Sequence, residues 1–556
     1  MSRTKKAARR GKRNADGAPG PNKKQKKEAP KTTEKEPAKP SPAPAAVVSG
    51  EKGSREWAST TLTKLLGAMS MDTFLSDYFE KKPLHVRTTD KGALFGSGLF
   101  SRKKMLKVME KQPMAFGKDL TVCRYVNSER ENFEGEDANG HATSRQVASL
   151  LDRGYSCQFY QPQRYVDGLF ELNAAFEEFF GGLAGASAYL TPANSQALAP
   201  HHDDVEVFVL QTQGRKKWKL YHPLVELAGE HSSDLAENDI GEPWMELTVE
   251  EGDLLYFPRG VVHQACTDEE EFSTHVTISV YQHNTWANFL EVALPRVIRQ
   301  AFDSDIAFRE GLPVGYLNYM GTSFPDNSIQ AEKFAATCKK LVLKLAEHVG
   351  EKDLQEAADE AAMDVLANRL PPPAEKKKND DDSGPSPLDG NVAIRFKNHS
   401  HVRLTMGQDE MKEEFVAVYY SVHNCRRHHM GLCTCDGGDE DGEGHDNDED
   451  GDGSDAGEAS ENSSADGDQE EDGDNDSDTD EEDPSAALGQ MPPQPNSIVF
   501  PGELTPALLK LYKASYSGYP GATIDELAET DTDETAVRGM LLRLWSEGLL
   551  DATTQS

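Results

Sequence analysis

Two histidines and one aspartate have the types and the spacing of a metal site. His201 and Asp203 form a His-x-Asp triplet at the edge of a strand-like run. A second strand-like stretch, residues 252–257, leads to His263, sixty residues after Asp203. Because residues i and i+2 of a strand point to the same face, His201 and Asp203 would share one side. Two imidazoles and a carboxylate on a β scaffold are the ligands of a facial iron(II) site, which keeps three coordination positions open for substrate and oxygen.

The triplet can be read in two registers, because His202 and Asp204 have the same spacing. The second register would turn Glu206 toward the ligands, and burying an extra carboxylate there is costly. The first register aligns the ligands with three valines, at positions 205, 207 and 209. We therefore choose the first register and its His-x-Asp pair.

Two further polar residues fit a pocket for a dicarboxylic co-substrate. Lys216 follows Asp203 by thirteen residues and begins the next strand-like run. Its ammonium group could bind the far carboxylate through a charge-assisted hydrogen bond. Ser279 follows His263 by sixteen residues, and its hydroxyl could share that carboxylate. Together these residues predict a 2-oxoglutarate pocket.

The elements that must position these residues are short strands. From about residue 155 to 285 the chain has short alternating or apolar runs separated by Pro, Gly, Asn or Asp, at 205–210, 218–221, 254–257 and 276–281. Many short strands of this kind favour a β barrel or jelly roll. Residues 55–80 precede them with apolar residues at three- and four-residue steps, which predicts helix.

The rest of the chain divides into four further segments. Residues 286–370 have helical periodicity, and residues 371–393, with prolines and runs of Lys and Asp, form a predicted linker. Residues 394–556 combine short strands with three short helices, which fits a winged-helix-like domain. An acidic tract, residues 436–483, interrupts that domain as an insertion.

Composition excludes several classes of protein. Of 556 residues, 95 are acidic and 59 are Lys or Arg, a net charge of −36. The charge is segregated: residues 1–40 hold 14 basic and four acidic residues, whereas residues 436–483 hold 25 acids and no Lys or Arg. Both segments lack apolar surface, so we predict that residues 1–54 and the acidic tract are disordered.

Neither a membrane protein nor a disulfide framework is expected. There is no run of 18 apolar residues, and no apolar region follows the basic N-terminus as it would in a secretory signal. Seven scattered cysteines suit a reducing compartment. We expect a soluble intracellular protein without a membrane partner, and the two basic clusters of the tail indicate nuclear or nucleolar targeting.

The motifs resemble those of one family. The segments Tyr-Leu-Thr-Pro (189–192), Ala-Pro-His-x-Asp-Asp-x-Glu-x-Phe-Val-Leu-Gln (199–211), Gly-Arg-Lys (214–216), Tyr-Phe-Pro-Arg-Gly-x-x-His-Gln-Ala (256–265) and Ser-Thr-His-Val-Thr-Ile-Ser (273–279) closely resemble the JmjC ribosomal oxygenases. The resemblance covers about residues 55–430 and 484–550. It implies an α+β chain with a double-stranded β-helix (cupin or jelly-roll) JmjC core at 55–285, a helical dimerisation region and a C-terminal winged helix, with the chain acting as a homodimer.

The resemblance also implies roles for single residues. His201, Asp203 and His263 fall on the iron(II) ligands, which are the catalytic centre, and Lys216, Tyr189 and Ser279 fall on 2-oxoglutarate positions. Two departures stand out. Ser187 replaces an Asn that the family often has before Tyr-Leu-Thr-Pro, and His202 replaces the usual Tyr, which would leave a spare imidazole near the metal.

The implied activity is oxidation of a protein by iron(II), 2-oxoglutarate and O₂. Within the family the chain looks most like the nucleolar type described as a bifunctional histone lysine demethylase and ribosomal-protein histidyl hydroxylase. The expected substrates are therefore basic nuclear proteins, a ribosomal protein or a histone tail, with a role in chromatin and transcription regulation. The alternative is a non-enzymatic cupin-fold scaffold that binds ribosomal or chromatin proteins. Neither the modified residue nor its methylation state follows from the sequence.

Three other features were weighed against simpler interpretations. The Cys/His-rich stretch 425–435 does not have the spacing of a structural zinc motif, so we interpret it as a mobile loop tip. His275 and His283 flank a strand and are expected to be hydrogen-bonded structural groups. The last predicted helix, residues 531–545, has two arginines against several acids, so we expect protein interaction rather than direct DNA binding.

Overall fold

The computed structural model of the chain describes residues 52–88, 96–127, 129–135, 140–324, 328–373, 385–431, 494–516, 518–529 and 532–555. The predicted disordered acidic insert, nearly all of the basic tail and part of the predicted linker lie outside these ranges. Among the residues described, no helix combines the length and the apolar character that a bilayer span requires.

The described residues form helices and strands in the following order. The helices are α1 Arg55–Leu65, α2 Met71–Asp77, α3 Arg102–Met109, α4 Ser144–Asp152, α5 Asp167–Phe180, α6 Trp286–Ser304, α7 Ile329–Leu345, α8 Glu351–Asn368, α9 Thr505–Ala514, α10 Ile524–Ala528 and α11 Glu534–Ser546. The strands are β1 Leu84–Val86, β2 Leu120–Val126, β3 Glu129–Phe133, β4 Ser156–Tyr160, β5 Ala184–Thr191, β6 Glu206–Leu220, β7 Met245–Glu250, β8 Leu254–Phe257, β9 His263–Cys266, β10 Ser273–Val280, β11 Val392–Phe396, β12 Val402–Gln408, β13 Glu414–Tyr420, β14 Asn496–Pro501 and β15 Leu550–Thr554.

A ten-stranded antiparallel sheet carries the predicted metal residues. Its strand order is β1-β8-β6-β10-β5-β4-β2-β3, and β7 and β9 also pair with β6. The strand-rich character expected for residues 155–285 is confirmed, but two of the predicted runs are joined in the single fifteen-residue strand β6. The helix predicted within residues 55–80 is confirmed by α1 and α2. Beyond that range, β1 and β2–β3 extend the same sheet.

The long strand β6 turns from one set of partners to another near Gly214. Its first half pairs with β8 and β10, and its second half pairs with β7 and β9. The register with β10 shifts between Thr274 and His275. Gly214 has φ +62°, and a Cβ there would lie 1.9 Å from the Phe272 carbonyl oxygen, so only glycine fits this crossing.

Residues 286–370 are helical as predicted, and their helices begin at polar caps. At the start of α6 the Thr285 hydroxyl accepts from the Asn288 backbone N–H, and the Asn288 side-chain oxygen accepts from the Thr285 backbone N–H. Helix α6 packs through Ala293, Val297 and Ala301, which are buried. Other large apolar side chains of α6, such as Trp286 and Ile298, are exposed to solvent.

The C-terminal residues have their own core. Strands β11–β15 and helices α9–α11 enclose a cluster of buried side chains that runs from Val392 to Leu550. Strand β11 begins at Val392, so the last two residues of the predicted linker belong to this core instead. The reason is burial: Val392 and Ala393 pair with the end of β15 and are almost inaccessible to solvent.

Candidate metal centre and adjoining cavity

His201, Asp203 and His263 meet at one point of the sheet. The His201 and His263 backbones bridge each other, with N–H to O distances of 3.2 and 2.8 Å. Asp203 lies between the rings, with Oδ1 3.8 Å from His201 Nε2 and Oδ2 3.7 Å from His263 Nε2. One ligand atom from each residue lies within 4.8 Å of the others. The sequence separation of sixty residues is therefore closed by the bridge between His263, the first residue of β9, and His201, which precedes β6.

The hydrogen bonds of the two rings fix which nitrogen faces the cluster. His201 Nδ1 lies 2.8 Å from the Ala199 carbonyl oxygen, and His263 Nδ1 lies 3.1 Å from the Val261 carbonyl oxygen. A carbonyl oxygen only accepts, so each Nδ1 carries the proton and donates. Each Nε2 lone pair is consequently free for a metal ion, which is the usual arrangement of metal-binding histidines.

Burial favours the neutral form of His263, which is the form that binds metal. Desolvation of the His263 ring, and the nearby His201 ring, lower the pKa of His263 to about 4, although Asp203 opposes this. Because His263 is buried and Asp203 is one-third exposed, the cluster is enclosed on one side and open on the other. Two imidazoles and one carboxylate on a single side fit an iron(II) site with open positions.

The cavity beside the cluster contains Lys216. Its side chain is buried, and Nζ donates to Thr191 Oγ1 at 3.1 Å. Nζ also lies 6.0 Å from the centre of the Tyr189 ring and 5.8 Å from that of Trp218. Within the described ranges Lys216 has no acidic partner, and burial lowers its pKa to about 8. A buried ammonium group without a counter-ion is a site for an anionic ligand.

Of the other two predicted co-substrate residues, only one lines this cavity. The Tyr189 hydroxyl accepts from Gln158 Nε2 at 3.0 Å, and its ring forms part of the cavity wall. Ser279 lies one inward-facing position beyond Thr277 on β10, opposite Val207, and outside the lining. Strand alternation places Thr277 and His275 at the wall instead. A role of Ser279 toward the co-substrate stays a prediction.

His275 was expected to be a hydrogen-bonded structural group, and the structure differs. The ring lines the cavity and stacks on Tyr189 with centroids 4.8 Å apart. Its Nδ1 is buried with no hydrogen-bond partner among the residues described. The alternation of His275, Thr277 and Ser279 on one strand face was the signal that could have found it. Thr191 and Trp218, which line or support the cavity, carried no comparable signal.

Both faces of β6 are buried, so the burial cost of Glu206 does not distinguish the two registers as predicted. The valines at 205, 207 and 209 do share a core cluster with Phe257 and Val261 on the ligand side of β6. Glu206, however, is also fully buried, on the opposite face of the strand. That face is not exposed to solvent, because Phe74 of α2 and Phe176 of α5 pack on it at Phe208.

His202 does not act as a spare imidazole beside the metal. It is buried next to Ser232, whose hydroxyl accepts from the His202 backbone, and it is absent from the cavity lining. Alternation turns it away from the ligands on either side.

The Cys/His-rich stretch is partly a docking segment rather than a mobile loop tip. His429 is buried, with Nε2 2.7 Å from Glu177 Oε1 and Nδ1 2.9 Å from Gln163 Nε2. Arg164 also donates to the His429 carbonyl at 2.9 Å. These contacts attach the C-terminal part of the chain to helix α5. Cys433 and Cys435 lie outside the described residues.

The antiparallel sheet and its metal-binding cluster define a JmjC domain of the cupin type, and a family model for the JmjC domain matches residues 158–289. The chain is 37% identical over 379 residues to ribosomal oxygenase 2 of Bos taurus, covering 66% of this chain and 78% of that protein. It belongs to the ribosomal oxygenase family. The donor set and this family together support iron(II), 2-oxoglutarate and O₂ as its cofactors and co-substrates.

One further relative and one solved structure are similar to this chain. The bifunctional lysine-specific demethylase and histidyl-hydroxylase NO66 of Aedes aegypti is 35% identical over 377 residues, covering 65% of this chain and 57% of that protein. This chain thus spans less than three fifths of the mosquito protein. The solved structure of YcfD, a ribosomal oxygenase from Escherichia coli, is 12% identical with a TM-score of 0.38, covering 87% of this chain and 98% of that chain.

Proposed function

We propose that this chain is an iron(II)- and 2-oxoglutarate-dependent protein oxygenase. The observation that carries the proposal is the shared cavity: three candidate metal donors line it together with the buried Lys216, which has no acidic partner among the residues that the structure describes. Iron(II), 2-oxoglutarate and O₂, when bound, supply the oxidising power that inserts oxygen into a C–H bond. His201, Asp203 and His263 would hold the metal, and its chemistry needs all three.

The other residues of the cavity would bind and orient the co-substrate. Lys216 would pair with the far carboxylate of 2-oxoglutarate, and Tyr189 and Trp218 form the walls beside it. The apolar side chains Val207 and Phe257 limit water on the inner side. The exposed third of Asp203 marks the side from which a substrate would approach.

The name of one relative supports a proposal for the substrate class. The mosquito relative is named a lysine demethylase and histidyl hydroxylase, and we propose the same two kinds of substrate here, a histone tail or a ribosomal protein in the nucleus or nucleolus. One C–H oxidation explains both outcomes. A hydroxylated N-methyl group of lysine releases formaldehyde and leaves the amine with one methyl group fewer, whereas a hydroxyl on a carbon of histidine is stable.

The test is succinate production by the purified chain with iron(II), ascorbate and 2-oxoglutarate. We expect succinate to form mainly when a ribosomal or methylated histone peptide is present. Mass spectrometry of the peptide should show a gain of one oxygen or a loss of methyl groups. Absence of any substrate-dependent succinate would reject the proposal in favour of a binding scaffold.

We further propose that residues 286–370 form a dimerisation region and residues 394–556 a winged-helix domain. The support for the first is a stripe of exposed apolar side chains at four-residue steps along α6 and beyond it. The stripe contains Trp286, Leu290, Leu294, Ile298, Phe302 and Ile306, of which Trp286 is 82% and Ile298 50% exposed. An exposed apolar patch of this length marks an interaction site. The same stripe on a second copy of the chain is its natural complement, because a two-fold interface pairs one patch with itself.

Charges placed in that stripe should separate the dimer. We expect Ile298→Glu/Phe302→Glu to halve the mass measured by light scattering, from twice 61.1 kDa to 61.1 kDa, because paired carboxylates would be buried in an apolar interface. Arg299→Glu, which changes an exposed neighbour outside the stripe, should keep the dimer. A monomeric unmodified chain at micromolar concentration would contradict the prediction.

A further inference from the structure

A buried charged cluster lies behind the metal ligands, on the other face of β6. Glu206 is completely buried and follows Asp203 by three residues. Arg259 is 7% exposed and precedes His263 by four residues. The two are paired, with Arg259 Nη1 3.1 Å from Glu206 Oε1.

Neighbouring groups complete the cluster. The Tyr256 hydroxyl donates to Glu206 Oε2 and accepts from the Glu80 backbone N–H at 2.8 Å. The Glu80 carboxylate also lies 2.7 Å from Arg259 Nη1. Both oxygens of Glu206 therefore have partners. Burial raises the pKa of Glu206 to about 7, and Tyr256 and Arg259 act against that rise.

The proposed chemistry does not use this cluster directly. Glu206 and Arg259 do not line the cavity that contains Lys216, and neither belongs to the set of metal donors. A buried ion pair is not in itself stabilising, because the desolvation of both charges offsets their attraction. Its presence so near the ligands calls for another role.

The connectivity of the pair indicates that role. Asp203 stands before the first residue of β6, and His263 is reached through the turn from Pro258 to Val262. Backbone hydrogen bonds join the two segments at the bridge between His201 and His263, and again where the Gly260 N–H donates to the Asp203 carbonyl at 2.9 Å. Gly260 has φ +84°, and a Cβ there would lie 2.3 Å from the Val225 carbonyl oxygen, so the turn is closely packed. The Glu206–Arg259 pair is the side-chain link between the same two segments.

We propose that Glu206 and Arg259 are positioning residues that hold the Asp203 segment and the His263 turn at the spacing that a metal ion requires. This inference rests on the proposed function. Groups outside the ligand set that orient the ligands typically change metal affinity by 10- to 100-fold when they are removed. The pair links the backbone segments that carry Asp203 and His263. Its loss should therefore weaken metal binding directly, and co-substrate binding only as a consequence.

The test measures Co(II) binding by visible absorption, separately from turnover. We expect Arg259→Met and Glu206→Gln to weaken Co(II) binding by roughly 10- to 100-fold. Arg259→Lys, which keeps a positive charge within reach of Glu206, should recover most of the affinity. The matched control is Arg369→Met, which removes the cation from another buried pair, Arg369 with Glu178 at 3.0 Å, away from the metal ligands.

The outcomes are distinct. Unchanged Co(II) affinity of folded Arg259→Met, or an equal loss in Arg369→Met, overturns the positioning role alone. An unmodified chain that binds no Co(II) overturns the proposed function and this inference with it. If Arg259→Met does not fold, the double variant Glu206→Gln/Arg259→Met carries the same measurement, because no unpaired charge then remains buried.

Discussion

Asp203→Asn is expected to abolish substrate-dependent succinate formation, with a loss of roughly a thousandfold or more. The amide keeps the shape of the side chain but removes the one negative charge between His201 and His263. A metal ion supplies several kcal/mol of charge stabilisation to its reaction, and about 1.4 kcal/mol corresponds to a tenfold change in rate. Metal content of the purified variant, measured by mass spectrometry, should fall in parallel.

The neighbouring residue gives a matched control for the choice of register. Asp204 carries the same charge one residue later, but its carboxylate accepts from Gln282 Nε2 at 3.1 Å near the surface. Asp204→Asn should keep metal and turnover within about twofold, since exposed polar contacts contribute little. Retained turnover in Asp203→Asn, or an equal loss in both variants, would mean that the ligand assignment is wrong.

Lys216→Met is expected to raise the KM for 2-oxoglutarate by roughly a hundredfold. Truncating one partner of a buried, hydrogen-bonded charge pair costs about 2–5 kcal/mol, and Met keeps the length and the apolar stem of Lys. The measurement is the KM for 2-oxoglutarate in the succinate assay. Lys217→Met is the matched control, because Lys217 is 54% exposed on the opposite face of β6. An unchanged KM in Lys216→Met would remove Lys216 from the co-substrate site.

The pH dependence of the same KM gives an independent check. Burial lowers the pKa of Lys216 to about 8, so in the free protein the ammonium is charged below that pH and neutral above it. Only the charged form binds a carboxylate strongly. The KM should therefore be constant below pH 8 and rise about tenfold per pH unit above it. Lys216→Arg, which stays charged, should have a KM that does not change between pH 7 and 9; a rise of equal slope in this variant would contradict the assignment.

The candidate ligands could be found in the sequence because short-range geometry sets their direction. The two-residue repeat of an extended segment predicts that His201 and Asp203 lie on one side, and the structure places them so just before β6. Helical periodicity likewise indicated the helices between 286 and 370. Each of these predictions depends on residues that are close along the chain.

Long-range pairing decided the remaining features. Whether Glu206 faces solvent depends on α2 and α5 covering the second face of β6, and neither helix is near it in sequence. His275 lies at the cavity wall because β10 is held between β5 and β6 in one register. His429 is buried because helix α5, some 250 residues earlier, presents Glu177 to it.

The sequence by itself determined which side chains can bind a metal and a carboxylate, since that ability belongs to residue types and local repeats. Only the tertiary structure decided which buried charges lie on the other face of β6 from that site and which groups line its cavity. The physical reason is that strand pairing fixes distances between residues far apart in the chain, and no local pattern encodes the partner of a strand face.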